Sequence, residues 1–250
     1  MSARWRWAGA CSIGTSHVEA GGVCQDRAAC RTMETPSGPV LVAVVSDGAG
    51  SARKAEAGAT IVCTDLHRRI AGYFRGGGTL ANINAECAAE WLDSVRDRIG
   101  VAASAASLRP RDYAATLVCL IAGDERAVVV HVGDGATGAW SVPSWPFHGE
   151  YVSTTRFVVD DPEPRFEIVH VEASIDRFAL FTDGIENLVL DQRKKSASAP
   201  FFERLLQPVA AWEGEGRSRK LSRHLRAYLD GAQVCEGTDD DKSLILAARG

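Results

Sequence analysis

The 250-residue sequence has no apolar run approaching the roughly 18 residues of a membrane span. Its opening, Met1-Ser-Ala-Arg-Trp-Arg-Trp7, sets Arg and Trp where a secretory signal needs an unbroken apolar core. A basic excess is also missing: 28 Lys and Arg stand against 32 Asp and Glu, a net charge of −4. Affinity that rests on neutralising a phosphate backbone needs a basic face, so nucleic acid is a poor partner for this chain. Closely paired cysteines are absent as well. The seven are odd in number and scattered, and even Cys24 and Cys30 lie six apart, too far for a zinc knuckle. Embedded in apolar segments such as Thr116-Leu-Val-Cys-Leu-Ile121, they read as structural free thiols. What is present is an ordinary globular composition, 46% hydrophobic and 24% charged, in a chain long enough to bury a substantial core. The expectation is a cytoplasmic, monomeric enzyme or binding domain, with no membrane or nucleic-acid partner and one domain over residues 1–250.

Val40-Leu-Val-Ala-Val-Val45 is a β-branched run of strand length that stops at the turn signal Ser46-Asp-Gly-Ala-Gly50. Helical period follows over residues 52–74, with Ala55, Ala59, Val62, Leu66 and Ile70 recurring every three or four positions, and Gly76-Gly-Gly78 ends it. A second helix is expected over 80–99, with Ile83, Cys87, Trp91 and Val95 on one face, and the Ala-rich residues 101–107 read as a loop or frayed end. Short β-type runs over 114–122, 127–132, 137–142, 151–159, 166–171 and 177–181 are joined too closely for parallel crossovers and favour antiparallel pairing. Helices resume over 201–212 and 217–229, residues 243–248 read as a closing strand, and the polar stretch 191–200 reads as a mobile surface segment. Such an order predicts an α+β fold rather than βαβ repetition. The six tryptophans (Trp5, Trp7, Trp91, Trp140, Trp145, Trp212) are dispersed and read as packing, not as a base-stacking platform.

Chemistry concentrates on aspartates that sit where an apolar strand meets a turn of small residues: Asp26, Asp47, Asp134, Asp183 and the run Asp239-Asp-Asp241. Three of these are Asp-Gly pairs. One Asp-Gly after a strand is usually a hairpin turn, but repetition of the same flanks suggests strand ends converging on one sheet rim. Like charges about 4 Å apart cost on the order of 4 kcal/mol at an effective dielectric of 20, so such a cluster implies cations. Donors that are all oxygen suit Mg²⁺ or Mn²⁺, and two ions about 3.5–4 Å apart form the clamp of phosphoryl chemistry.

The ordered set Cys24-Gln-Asp26, Val45-Ser-Asp-Gly-Ala-Gly50, Ala115-Thr-Leu117, Val132-Gly-Asp134, Phe181-Thr-Asp-Gly-Ile185 and Asp240-Asp-Lys-Ser243 resembles the PPM/PP2C metal-dependent serine/threonine protein phosphatases, in particular a compact bacterial branch, over residues 8–248. The resemblance implies a four-layer αββα sandwich, two antiparallel sheets packed face to face and flanked by helices. It implies that catalytic Asp47 bridges two Mn²⁺ or Mg²⁺ ions, with the Gly48 carbonyl on one of them. Asp183 and Asp240 would ligate the second ion, Asp26 would hold a metal through water, and Asp134 with Asp183 would take a third, weaker ion. The implied reaction is in-line attack on phosphoserine or phosphothreonine by a water shared between the ions, without a phosphoenzyme. Its partners would be a phosphorylated protein and the serine/threonine kinase that it opposes.

Three positions depart from the family pattern. Gly21 stands where many relatives carry a phosphate-gripping Arg, Gln25 where they often carry Glu, and Ala49 where some carry a His that protonates the leaving alcohol. His17, just upstream, is the candidate replacement for either lost function, against the plainer reading of a loop histidine. The segment Gly50-Ser-Ala-Arg-Lys-Ala-Glu-Ala-Gly58 lacks P-loop spacing, though Arg53 or Lys54 could assist phosphate binding at a helix start. These departures keep two alternatives open: a weak or inactive domain that binds a phosphoprotein as a regulator, and a two-metal phosphatase of a small phosphate ester.

Overall fold

The computed structural model describes residues 4–138, 155–162, 164–172, 174–191, 194 and 196–250. Its strands are β1 (Trp5–Ser12), β2 (Arg27–Met33), β3 (Val40–Ser46), β4 (Leu117–Ala122), β5 (Ala127–Val132), β6 (Ala136–Gly138), β7 (Glu167–Val171) and β8 (Arg177–Phe181), then the two-residue β9 (Leu190–Asp191), β10 (Ser196–Ala197) and β11 (Gly216–Arg217), and finally β12 (Lys242–Arg249). Its helices are α1 (Thr15–Glu19), α2 (Ala55–Arg75), α3 (Ala85–Ala105), α4 (Glu186–Val189), α5 (Ala199–Ala211), α6 (Arg219–Leu229) and α7 (Ala232–Cys235).

Strand β3 shows why unbroken apolar runs occur in an antiparallel fold. Alternate side chains of a strand point to opposite faces. Val40, Val42 and Val44 enter a core shared with α2 and α3, while Leu41, Ala43 and Val45 enter a second core facing the other sheet. Both faces are covered, so no polar residue is called for at either parity. The same split divides Leu117, Cys119 and Ile121 from Val118, Leu120 and Ala122, and Leu244 and Leu246 from Ile245 and Ala247.

Two five-stranded sheets result, ordered β11-β1-β12-β8-β6 and β2-β3-β4-β5-β7. Among the described residues every pairing is antiparallel except that of β1 with β11. Helices α2 and α3 cover the second sheet through Val62, Leu66, Ile70, Leu92, Val95 and Ile99. Helices α5 and α6 cover the first through Phe202, Leu206, Leu225 and Leu229. The layers are therefore helices, sheet, sheet, helices, as expected for the α+β class. No helix among the described residues is long and apolar enough to cross a membrane.

The structure corrects several local expectations. Helix α3 runs through Ala105 rather than ending near 99, because alanine is the best helix former and Ala103 extends the buried stripe. Its start is set at Asn84, whose side chain accepts from the Cys87 N–H at 2.9 Å. Residues 155–159 form no strand; Asp160 caps that segment as a turn, its carboxylate accepting from the Phe157 N–H at 2.8 Å. Residues 151–154, most of 137–142 beyond β6, Trp140 and Trp145 lie outside the described residues. At the polar stretch 191–200, Asp191 and Leu190 pair with Ser196 and Ala197 in a short ribbon that the sequence did not announce. All seven cysteines are free, and burial pushes the thiols of Cys11 and Cys24 up to about 11 and about 12, which keeps them protonated and inert.

Candidate metal centre

Both sheets deliver chain reversals to one end of the sandwich. Asp26 immediately precedes β2, Asp47 follows β3, Asp134 follows β5, Asp183 follows β8, and Asp240 lies two residues before β12. Carboxylate oxygens of Asp47, Asp134 and Asp183 all lie within 4.8 Å of one another. Asp26 is fully buried beside them, with Oδ2 accepting from the Thr182 hydroxyl at 2.6 Å. Asp240 sits more exposed at the rim, where its charge acts on Asp47 and Asp183. The structure thus gathers Asp47, Asp134 and Asp183 into one tight group, with Asp26 and Asp240 as its neighbours.

Each of these carboxylates is seated by residues whose types the local sequence explains. The Asp47 backbone is clamped on both sides by Thr116: the Asp47 N–H donates to the Thr116 hydroxyl at 3.0 Å, and the Thr116 N–H donates to the Asp47 carbonyl at 2.8 Å. Gly48 is required because a Cβ there would lie 2.6 Å from the Ala55 carbonyl group, at the start of α2. Gly184 is tighter still, since a Cβ would come within 1.8 Å of the Asp241 carbonyl oxygen. Thr182 joins two of the loops by donating to Asp26 and accepting the Ser243 N–H at 2.9 Å.

Sequence reasoning left Asp241 without a role, and the structure makes it the stitch of the site. It is buried, and its carboxylate accepts the Gly14 N–H at 2.6 Å and the Gln25 N–H at 2.5 Å. His17 on α1 stands with Nδ1 3.0 Å from the same carboxylate. Lys242, fully buried, donates from Nζ to the Asp240 carbonyl at 3.2 Å and the Ile13 carbonyl at 3.4 Å. Glu186 is a further buried acid whose charge acts on Asp183. The signal for Asp241 and Lys242 was the Asp240-Asp-Lys-Ser243 motif itself, in which only the first and last positions carried an obvious reason. Gly21 has an exposed, left-handed backbone (φ +67°) with nothing near its Cβ position. Ser51, Arg53 and Lys54 are exposed beside the start of α2.

The electrostatics are those of crowded, desolvated anions. Burial pushes the Asp26 carboxyl up to about 7 against the opposing hydrogen bond from Thr182. Burial first, and then the charges of Asp26 and Asp183, holds Asp47 well above the usual carboxylate range. Asp183 is raised by burial and by Asp134, Asp240 and Asp26, and Asp240 is raised chiefly by burial. Asp26 Oδ1 and Asp134 Oδ1 are buried with no hydrogen-bond donor among the described residues. Carboxylate oxygens that are buried, convergent and without donors fit a hard divalent cation of the Mg²⁺ or Mn²⁺ kind.

Comparison with known proteins agrees with this geometry. The sequence model of the protein phosphatase 2C family matches residues 13–230. The chain is 32% identical over 252 residues to serine/threonine-protein phosphatase 3 of Escherichia coli (strain K12), covering 97% of this chain and 98% of that one. Among solved structures it superposes on PppA, described as a key regulatory component of T6SS in Pseudomonas aeruginosa, with a TM-score of 0.64 at 16% identity, covering 100% of this chain and 99% of that one. It also superposes on the catalytic domain of the serine/threonine protein phosphatase PstP in complex with two manganese ions, with a TM-score of 0.60 at 16% identity and 99% of each chain covered. With the matched family model spanning most of the chain and a curated relative aligned almost end to end, the protein belongs to the protein phosphatase 2C family.

Proposed function

We propose that the protein, as one catalytic domain over residues 1–250, hydrolyses phosphoserine and phosphothreonine in proteins, with two Mn²⁺ or Mg²⁺ ions held at the strand-end cluster. The observation that carries this reading is the convergence of Asp47, Asp134 and Asp183 within 4.8 Å beside the donorless oxygens of Asp26 and Asp134. Asp47 would bridge the pair of ions, with the Gly48 carbonyl beside it. Asp183 and Asp240 would complete the second position, Asp26 would act through water, and Asp134 with Asp183 would take a third, weaker ion. Bound there, the ions would lower the pKa of a shared water and offset charge developing on the phosphoryl oxygens.

The chain's own residues set the geometry for that chemistry. Thr116 fixes the backbone of Asp47 from both sides, so its carboxylate is presented without a rotating loop beneath it. Thr182 orients Asp26 and ties β8 to β12. Asp241 anchors the loop and short helix that carry His17. With Gly21 and Ala49 at two family positions, His17 is the proposed replacement for leaving-group protonation or phosphate grip. The departures at Gly21, Gln25 and Ala49 support the rival reading, a weakly catalytic domain that binds a phosphoprotein.

One assay separates these readings: turnover of p-nitrophenyl phosphate and of a phosphothreonine peptide with Mn²⁺, with and without EDTA, for wild type and Asp47→Asn. Metal-stimulated turnover of the peptide that Asp47→Asn abolishes is expected. Wild-type protein without such turnover would sink the enzyme, and activity surviving Asp47→Asn would sink the metal assignment. Turnover of p-nitrophenyl phosphate alone would point to a small ester as substrate. For His17→Ala, the expected result is a larger loss in kcat than in metal affinity, and an unchanged rate and pH profile would return His17 to a loop role.

A further inference from the structure

Away from the acidic cluster, the edge where β1 lies near β2 opens into a pocket of about 620 Å³, within the range of small-ligand sites. Its floor is the β1 backbone from Gly9 to Cys11 with Ala28 of β2, all small residues that let a ligand approach the main chain. Its wall is cationic: Arg219, Arg223 and Arg226 project from α6, Arg217 comes from β11, and among the described residues no carboxylate lines the space.

The placement of these arginines runs against what α6 alone would select. Positions 219, 223 and 226 form an i, i+4, i+7 stripe of like charge, and each like-charged pair costs a helix a few tenths of a kcal/mol. Arg219 and Lys220 also occupy the first turn, where the helix dipole disfavours cations and no acidic residue offsets them. Among the described residues, Arg219 and Arg223 enter no ion pair, while Arg226 lies 3.7 Å from Asp230 and Arg217 stacks over the Trp7 ring at 5.6 Å. Local rules broken together around a cavity mark a site open to water rather than an incidental charged face.

We infer that this pocket binds a small anion carrying two or more phosphate groups, of about nucleoside-diphosphate size. Guanidinium groups match phosphate oxygens through paired N–H donors, and four of them line this one space. Seven residues of helix span roughly 10 Å, more than one phosphate group covers, so the stripe from Arg219 to Arg226 calls for at least two. The site is separate from the metal centre but backs onto it. Cys11 in the floor accepts a hydrogen bond from the Ser243 hydroxyl at 3.0 Å, and the Ser243 N–H in turn donates to Thr182, the residue that orients Asp26. The test must therefore tell the two sites apart.

The experiment is calorimetric titration of the full chain, in Mg²⁺-containing buffer, with the non-hydrolysable α,β-methylene analogue of ADP. One-to-one binding is expected, weakened at least about tenfold in the double variant Arg219→Ala/Arg223→Ala. It should be unchanged in Asp47→Asn and within about twofold in Lys220→Ala, which alters a basic residue outside the pocket lining. Should the alanine variant fail to fold, Arg219→Gln/Arg223→Gln supplies the same measurement. No binding by wild type, or binding that survives loss of both arginines, overturns the inference. Binding lost in Asp47→Asn places the ligand at the metal centre and overturns it too. In the Asp47→Asn background, pyrophosphate should bind at least about tenfold more tightly than inorganic phosphate, and equal affinity would overturn the two-phosphate part.

Discussion

Two clusters of like charge distinguish this chain, and they are handled in opposite ways. The carboxylates at the end of the sandwich are largely desolvated, and burial with mutual repulsion pushes Asp26, Asp47 and Asp183 upward. The four arginines along α6 and β11 stay in water, where screening leaves only a small cost. Burial is what turns a charge pattern into a demand. An exposed cluster tolerates an empty site, whereas a buried one must take up protons or cations. The acidic cluster is thereby suited to an obligatory ion, and the basic pocket to a ligand that comes and goes.

The sharpest way to break this comparison is Asp183→Asn. It should lower Mn²⁺-dependent kcat by at least about a hundredfold, yet raise the thermal midpoint of the metal-free protein, because one of the mutually repelling buried groups is removed. Each kcal/mol so gained moves the midpoint by roughly 2–4 °C for a chain of this size, and a midpoint that falls would show that the cluster is not strained by its own charge. Next in size is Thr182→Val, which leaves Asp26 Oδ2 without its donor. Mn²⁺ affinity should drop by about 10- to 100-fold while the fold is kept, as read by titration and circular dichroism.

A third prediction concerns pH. Asp26 has a folded-state value raised from 3.8 to about 7, so the folded protein holds a proton that the unfolded chain has released. The stability this contributes is present in full below about 4 and is lost as pH rises through about 7. Urea midpoints of the metal-free protein, taken as the difference between wild type and Asp26→Asn at about pH 5 and about pH 8, should move against wild type on going up. Comparison by difference cancels His67 and His131, whose burial lowers them to about 4 and which lose stability as pH falls. The smallest effect is expected at the basic pocket, where Arg219→Ala/Arg223→Ala without ligand should change stability by no more than about 0.5 kcal/mol, and upward. A large loss there would mean that the arginines hold the fold.

Much of the fold could be read from residues alone. The run Val40-Leu-Val-Ala-Val-Val45 announced a strand buried on both faces, and the apolar stripe of α2 announced a helix lying on a sheet. Strands β1 and β2 were not identified, because Trp5–Ser12 and Arg27–Met33 mix Arg, Gly, Cys and Ala without a clean period of two. Their partners override weak local preference: β1 pairs along its full length with β12, and β2 with β3. Asp47, Asp134 and Asp183 were legible as a set because each follows a strand and precedes a glycine, whereas Asp26 and Asp240 come just before strands and were carried by motif order alone. Asp241 was not legible, since nothing in one acid of a three-acid run says that its carboxylate will meet Gly14 and Gln25, more than 200 residues earlier.

Short-range patterns in the sequence suffice for the family, most of the element types and the sign of each local charge, because periodicity, turn residues and motif order are all written between near neighbours. Tertiary structure alone decided which charges stand together and at what depth. Asp47, Asp134 and Asp183 are separated by 87 and 49 residues in the chain and become neighbours only when strands of two sheets end on one rim. Arg217, Arg219, Arg223 and Arg226 become a pocket only when α6 is laid beside the edge of β1 and β2. Composition fixes how much charge a chain carries, but electrostatic energy depends on distance and solvent exposure, and both are properties of the folded arrangement.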